Sequence, residues 1–171
     1  APVGVSLNIT ASRNLTRSTE FTNPVDNVDN ERFEREWGFP EWQAQAALRF
    51  EWDKWNLTWE TRYIGSVGQD PEDVDAFSDI NNLSDTCLGP PDDVLCRDFA
   101  EADDYFRHSV SLFYNADNWT AGAGVRNVFD EKPPVVDASE VLSFSNTPIG
   151  YGYDLQGRML FFDVAYRFGG S

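Results

Sequence analysis

The segment GRMLFFDVAYRF, residues Gly157 to Phe168, alternates its side chains in a way that decides the fold class. Side chains on a β-strand point to opposite faces with a period of two, so every second residue shares a face. One face of the segment is wholly apolar and aromatic, and it consists of Leu160, Phe162, Val164, Tyr166 and Phe168. The other face mixes charged and apolar groups. The segment predicts either the last strand of a soluble sandwich or a strand between lipid and a wet or protein-filled lumen.

The composition of the chain indicates one folded domain that does not bind nucleic acid. The chain has 171 residues, a length that suits a single domain. Its net charge of −16 argues against nucleic-acid binding, which requires a basic surface. Aromatic residues make up 15% of the chain and include six Trp, whereas disordered acidic chains are poor in aromatics. We therefore expect a folded protein, and nothing in the sequence specifies catalytic geometry or a cofactor.

The same alternation recurs in five other segments, which predicts six strands in all. The further segments are Val3–Arg13, Trp42–Trp52, Trp55–Ile64, Tyr105–Asn115 and Trp119–Asn127. Two short turns, at residues 53–54 and 116–118, join neighbouring strands into tight hairpins. Aromatic residues gather at the strand ends, as Trp and Tyr do at membrane–water interfaces.

The other connections are long and are predicted to be loops, at about residues 14–40, 66–104 and 128–153, with a short helix around residues 30–36. Short turns at one end of the strands and long loops at the other are typical of outer-membrane barrels. No run of about 18 apolar residues occurs, so a membrane-spanning helix is not expected. Barrel strands need only about 9–11 alternating residues, which these segments provide.

Six strands are too few for a whole bacterial barrel, because single-chain barrels begin at eight strands. Six strands also leave two open edges, which lipid cannot satisfy by hydrogen bonding. The sequence therefore predicts an all-β, antiparallel, up-and-down transmembrane β-barrel segment that forms the C-terminal part of a larger barrel. Residues 1–168 are expected to form this segment, and residues 169–171 a tail or linker. The first residues, APVGVSLNIT, lack the features of a signal peptide, in agreement with this expectation.

Three motifs in series resemble the C-terminal region of TonB-dependent outer-membrane receptors. GVRNVFDEKPP, residues 124–134, is similar to the Asn-Leu/Val-Phe-Asp motif that closes their penultimate strand. GYDLQGRMLFFDVAYRF, residues 152–168, resembles their last strand, which ends in an aromatic residue. FPEWQAQAALRFEWDKWNLTWETRYIGSV, residues 39–67, is similar to the strand pair found upstream. The plug domain, the TonB box and most strands of the family have no counterpart here, and the residues Gly-Gly-Ser after Phe168 also depart from its pattern.

The resemblance implies a plugged barrel of 22 strands in the bacterial outer membrane. It implies uptake of a scarce nutrient, such as an iron-siderophore, cobalamin, a metal or a carbohydrate, driven through the TonB system and without catalysis. The partners implied are outer-membrane lipid, lipopolysaccharide, the plug with the other barrel strands, and a small ligand. The apolar residues of the last strand, Leu160 to Phe168, would then serve as a signal for barrel assembly. Two rival interpretations are a passive porin and a secreted all-β carbohydrate-binding protein.

Several side chains are candidates for particular roles. Charged residues predicted to face the lumen would pair across strands or contact the plug: Arg49, Glu51, Glu60, Arg62 and Arg126. Loop aromatics near the outer rim could stack on a ligand: Trp37, Phe39, Tyr151 and Tyr153. The single histidine, His108, falls among outward-facing positions and is interpreted as structural.

The two cysteines, Cys87 and Cys96, lie in the second long loop. An oxidising compartment permits a disulfide between them, which would stabilise the loop by roughly 2–3 kcal/mol. Metal binding is the alternative, although a third Cys or His ligand is missing nearby. The same loop is rich in Asp and Glu, either as solvated surface or as a contact for cations, including those that bridge lipopolysaccharide phosphates.

Overall fold

The structure is a computed structural model that describes residues 2–16, 18–22, 28–32, 35–68, 101–135, 143–144 and 147–168. These residues form β-strands joined by turns and irregular segments. The strands are β1 (Gly4–Arg13), β2 (Ser18–Thr22), β3 (Val28–Arg32), β4 (Trp42–Trp52), β5 (Trp55–Ile64), β6 (Val67–Gly68), β7 (Glu101–Ala102), β8 (Tyr105–Asn115), β9 (Trp119–Arg126), β10 (Ser143–Phe144), β11 (Thr147–Pro148) and β12 (Met159–Tyr166). Within the described ranges, no helix is long and apolar enough to cross a membrane.

Six of these strands form one antiparallel sheet in the order β1-β4-β5-β8-β9-β12. Each strand pairs with the next long strand along the chain, so the sheet is an up-and-down meander. The predicted all-β fold and its six strands are confirmed, with bounds that differ by one or two residues. Among the described residues, β1 and β12 each have a neighbour on one side only, and the sheet is open.

The two short turns lie side by side at one end of the sheet. Asp53 adopts a left-handed backbone (φ 50°), which Asp tolerates better than most residues, and this allows the direct β4–β5 hairpin. Lys54 Nζ donates a hydrogen bond to Asp117 Oδ1 across the turns at 3.1 Å. This bond raises the pKa of Lys54. Because both short turns lie at one end of the sheet, the long connections all leave the opposite end.

The first long connection contains a hairpin rather than the short helix expected around residues 30–36. Strands β2 and β3 pair in the register Ser18↔Arg32 to Thr22↔Val28, and a turn follows at residues 35–38. The helix prediction was wrong because an isolated helix of about seven residues is unstable in water, whereas a hairpin pairs its backbone groups with a neighbouring strand.

The other two long connections also contain short paired segments. Val67–Gly68 pairs with Glu101–Ala102 at the base of the second connection, and Ser143–Phe144 pairs with Thr147–Pro148 in the third. Residues 69–100 lie outside the described ranges, so Cys87, Cys96 and most of the acidic residues of that loop do as well.

The buried core of the described residues lies at the long-connection end of the sheet. It is composed of Trp37, Ile64, Val67, Ala102, Tyr105 and Tyr153, and we call this cluster the loop core. Each of these side chains is at most 9% exposed, whereas most of the large apolar side chains along the sheet are exposed to a far greater extent. Burial in this chain is therefore concentrated where the connections meet the sheet.

Candidate functional site

One face of the six-stranded sheet is apolar from edge to edge, and we call it the apolar face. A single cross-strand row illustrates it, in the order Leu7, Leu48, Trp59, Val110, Val125 and Leu160. At the two edges, Leu7 is 61% exposed and Leu160 is 70% exposed. Apart from Phe129 in the turn after β9, which lies against Trp59 and His108, no described side chain is seen to cover the exposed apolar residues at the edges of this face. An exposed apolar surface of this extent is typical of an interaction surface or a membrane contact.

Two polar side chains on the apolar face satisfy each other. Thr61 and His108 lie opposite each other on β5 and β8, and Thr61 Oγ1 is 2.9 Å from His108 Nδ1. Aromatic rings surround the imidazole, with ring centroids 5.8 Å away for Trp59 and 5.2 Å for Phe129. Because an unpaired polar group costs free energy in apolar surroundings, this hydrogen bond keeps the face compatible with an apolar medium. His108 lies on the apolar face, the face of its strand on which the alternation places it.

Aromatic side chains form a band at each end of the apolar face. At the short-turn end, successive ring centroids lie 4.7–6.5 Å apart in the pairs Trp52–Trp55, Trp55–Tyr114, Tyr114–Trp119 and Tyr166–Phe168. At the other end, Tyr63 contacts Phe106 at 4.9 Å, and the Arg13 guanidinium lies 5.4 Å from the Trp42 ring. Strand β4 spans 11 residues, or about 36 Å at about 3.3 Å per residue. Tilted by about 45°, it would cross about 25 Å, the height of the apolar band on an outer-membrane barrel.

The opposite face of the sheet is polar and carries all five of the charged residues predicted to face a lumen. The pairing register places Arg49, Glu51, Glu60, Arg62 and Arg126 on this polar face. Arg107 shares the face and lies directly opposite Arg62. Arg107 was not among the predicted residues, although its position in the alternation of β8 places it on this face.

A cavity of about 190 Å³ opens on the polar face near the long-connection end. The side chains that line it from this face include Asn8, Gln45, Glu60, Arg62, Arg107 and Ser109. Both signs of charge occur in the lining, together with amide and hydroxyl groups that donate and accept hydrogen bonds. The lining is therefore suited to hydrogen bonding with a small polar molecule.

The rim segment at residues 151–154 constrains both arginines. Arg107 Nη1 lies 3.6 Å from Asp154 Oδ2, and the Asp154 side chain is only 5% exposed. Asp154 Oδ1 accepts a hydrogen bond from the Gln156 backbone at 3.0 Å. Gly152 has a φ of +92°, and a Cβ atom there would lie 2.4 Å from Arg62 Nη2. The positive φ favours glycine here, because the flexible Arg62 side chain could move away from a Cβ atom.

The loop aromatics predicted to stack on a ligand serve largely in packing. Trp37 and Tyr153 are buried in the loop core, with ring centroids 6.3 Å apart, and Tyr151 packs against Trp37 at 6.4 Å. Burial raises the pKa of Tyr153 to about 12. Their burial leaves Trp37 and Tyr153 little ring surface for a ligand. Ligand stacking stays a prediction for the partly exposed Tyr151 and Phe39.

The turn after β9 is held by the side chains of its Asn-Val-Phe-Asp sequence. Asn127 is fully buried with a φ of 54°, and its amide donates to Glu131 O and accepts from Glu131 N, both at 2.8 Å. Asp130 Oδ1 accepts the Arg158 backbone N–H at 2.9 Å. The turn thereby joins the end of β9 to the start of β12, which explains why these residue types occur in this order.

The apolar residues of β12 that resemble an assembly signal lie at the edge of the sheet. Phe162 is 80% exposed, and Phe168 is 88% exposed. The assembly role itself stays a prediction, as does the disulfide between Cys87 and Cys96. Among the residues described, no group of three or more His, Cys, Asp or Glu side chains could hold a metal ion.

Comparisons with known proteins found no match for this chain. No protein-family model matches the chain, and neither a curated protein nor a solved structure matches it significantly.

Proposed function

We propose that this chain is the C-terminal barrel segment of a TonB-dependent outer-membrane receptor that takes up a scarce nutrient. The observation that carries the proposal is the apolar face, which is continuous over six strands and bounded by aromatic bands at both ends. Lipid would cover this face, and the bands would lie at the two membrane interfaces. The three family-like motifs support the narrower assignment to this receptor family.

The open sheet edges support a place within a larger barrel. An unpaired backbone N–H or C=O in hydrocarbon costs several kcal/mol, so β1 and β12 need neighbouring strands in a membrane. Further strands of a closed barrel would supply them. The polar face would then line a lumen or contact a plug. The apolar residues at the end of the chain would act in assembly, namely Leu160, Phe162, Val164, Tyr166 and Phe168.

The rival interpretation as a secreted all-β binding protein requires a different environment for the apolar face. A soluble sandwich buries such a face against a second layer. In the described part of the chain, apolar residues of this face such as Leu7 and Leu160 stay largely exposed. The porin interpretation shares the membrane environment and differs in lacking a plug, so the upstream coding sequence distinguishes it.

Membrane fractionation of cells that produce the protein tests the proposal. We expect the protein in the outer-membrane fraction, extracted by detergent but not by high salt or alkaline carbonate, with mobility on gels that changes on heating. A periplasmic binding protein followed in the same cells is the control. Recovery as a monodisperse protein without detergent would overturn the membrane assignment.

A further inference from the structure

The cavity on the polar face contains an arrangement of charges that the sheet alone does not stabilise. Arg62 and Arg107 lie directly opposite on adjacent strands, and like charges in such a pair destabilise a sheet. Only Arg107 has a described carboxylate partner, Asp154, and the 3.6 Å separation is long for a hydrogen bond. The two guanidiniums therefore retain unused capacity to bind an anionic group.

Two polar atoms at this point are buried and lack hydrogen-bond partners among the described residues. They are Arg107 Nε and Asp154 Oδ2. Because Arg107 Nε is buried, a ligand in the cavity would contact the terminal nitrogens of the partly exposed Arg107 guanidinium, and its negative charge would offset the repulsion between Arg62 and Arg107. Gly152, which lies beside the Arg62 guanidinium, places no side chain against it.

The rest of the lining selects against a simple anion such as phosphate. Glu60 lies on the same face as Arg62, and its carboxylate would repel a second negative charge. The same carboxylate accepts hydrogen bonds from hydroxyl groups, and Asn8, Gln45 and Ser109 add further donors and acceptors. The lining therefore matches a ligand with one acidic end and a hydroxylated body.

We infer that this cavity binds a small hydroxycarboxylate, with its carboxylate between Arg62 and Arg107 and its hydroxyl groups toward Glu60 and the neutral side chains. Guanidinium groups bind carboxylates through paired, charge-assisted hydrogen bonds, which gives the site its specificity. The inference rests on the proposed function, because it names the chemical class of the ligand that an uptake receptor would receive on its inner face.

Equilibrium dialysis of radiolabelled gluconate against membranes that contain the protein tests this inference. Sorbitol, which has the same hydroxylated chain without the carboxylate, is the matched probe. We expect gluconate to bind at least tenfold more tightly than sorbitol. The substitutions Arg62→Gln and Arg107→Gln should each weaken gluconate binding about tenfold or more, the scale of one charge-assisted interaction.

Arg126→Gln is the matched control variant, because Arg126 lies on the same face outside the cavity, opposite Met159. Heat-modifiable mobility verifies that each variant is folded. If Arg107→Gln does not fold, Arg62→Lys still tests the inference. Lysine keeps the positive charge at position 62 but lacks the paired N–H donors of a guanidinium, so this variant should bind gluconate several-fold more weakly. Equal binding of gluconate and sorbitol, or full binding by the Arg62 variants, would overturn it. Fractionation fails or succeeds independently of this binding, so the two proposals can be distinguished.

Discussion

Asn127 combines complete burial with a left-handed backbone, a conformation that Asn tolerates because its short side chain bonds locally. Both polar atoms of its side chain are used by the Glu131 backbone. The next residue, Val128, donates its N–H to His108 O at 2.8 Å. One side chain thus fixes the point at which β9 ends and the chain turns toward β12.

Replacing Asn127 should separate its two contributions. Asn127→Gly keeps the backbone conformation but loses two hydrogen bonds, for which we expect about 1–3 kcal/mol of destabilisation. Asn127→Ala adds the strain of a left-handed residue with a Cβ atom, about 1–2 kcal/mol more. Urea unfolding of the protein in lipid vesicles measures both values. Equal losses for Gly and Ala would show that backbone strain contributes nothing here.

Tyr153 provides a pH-dependent contribution to the stability of the loop core. Its pKa is raised to about 12 by burial, against an ordinary value of 10.0. Since the raised pKa belongs to the folded state, the contribution is complete below about pH 10 and is lost as the pH rises toward 12. We expect tyrosinate absorbance to show a late titration step that Tyr153→Phe removes. Titration of Tyr153 near its ordinary pKa would contradict the burial of its ring.

The pairing of β8, β9 and β12 depends on aromatic rings that cover glycines on the polar face. A Cβ atom at Gly122 would lie 2.2 Å from the Phe113 ring, and one at Gly124 would lie 2.3 Å from the Phe161 ring. The rings therefore occupy the space that side chains on β9 would otherwise fill. This arrangement explains two glycines in a strand interior, where glycine is ordinarily unfavourable.

The two glycines should differ in their tolerance of substitution. The Cβ atom of Gly124→Ala would also lie 2.6 Å from the Val110 carbonyl oxygen, which is backbone and cannot rotate away. We expect Gly124→Ala to destabilise the fold by about 1–3 kcal/mol, and Gly122→Ala by less. Adding Phe113→Leu to Gly122→Ala should recover part of the loss, measured by unfolding in vesicles. A larger loss for Gly122→Ala would contradict this assignment.

The molecule as a whole is organised by two faces of opposite chemistry, and adjacent alanines on β4 allow a matched comparison between them. Ala46 lies between Ile9 and Thr61 on the apolar face, and Ala47 lies between Asn8 and Glu60 on the polar face. Both are near the middle of the strand. The same substitution at these two positions therefore compares the surroundings of the two faces while the strand stays the same.

We expect Ala46→Lys to destabilise the membrane-inserted fold by about 2–4 kcal/mol, the cost of a lysine at the bilayer midplane. Ala47→Lys should have little effect, because its ammonium group would face polar groups that include Glu60. Folding yield into lipid vesicles measures both variants. If the two lysines are tolerated equally, lipid does not contact the apolar face.

Much of the fold could be predicted from the sequence, because alternation is a local pattern that specifies both a strand and its faces. The six long strands and the place of His108 on the apolar face followed from it. The β2–β3 hairpin was missed because its strands, STEFT and VDNER, are mainly polar and carry no apolar alternation. The partners of the candidate residues could not be predicted because they lie far apart along the chain, as Tyr105 and Asp154 make contact across 49 positions.

The amino-acid sequence determined on its own where the strands lie and which side chains share a face, since a period of two requires no knowledge of distant neighbours. The tertiary structure alone decided the contacts that join separate strands and connections. It placed Arg62 opposite Arg107, paired Thr61 with His108, and buried Trp37 and Tyr153. These features depend on the register between strands and on long connections folding back onto the sheet, and both arise from contacts between residues far apart in the chain.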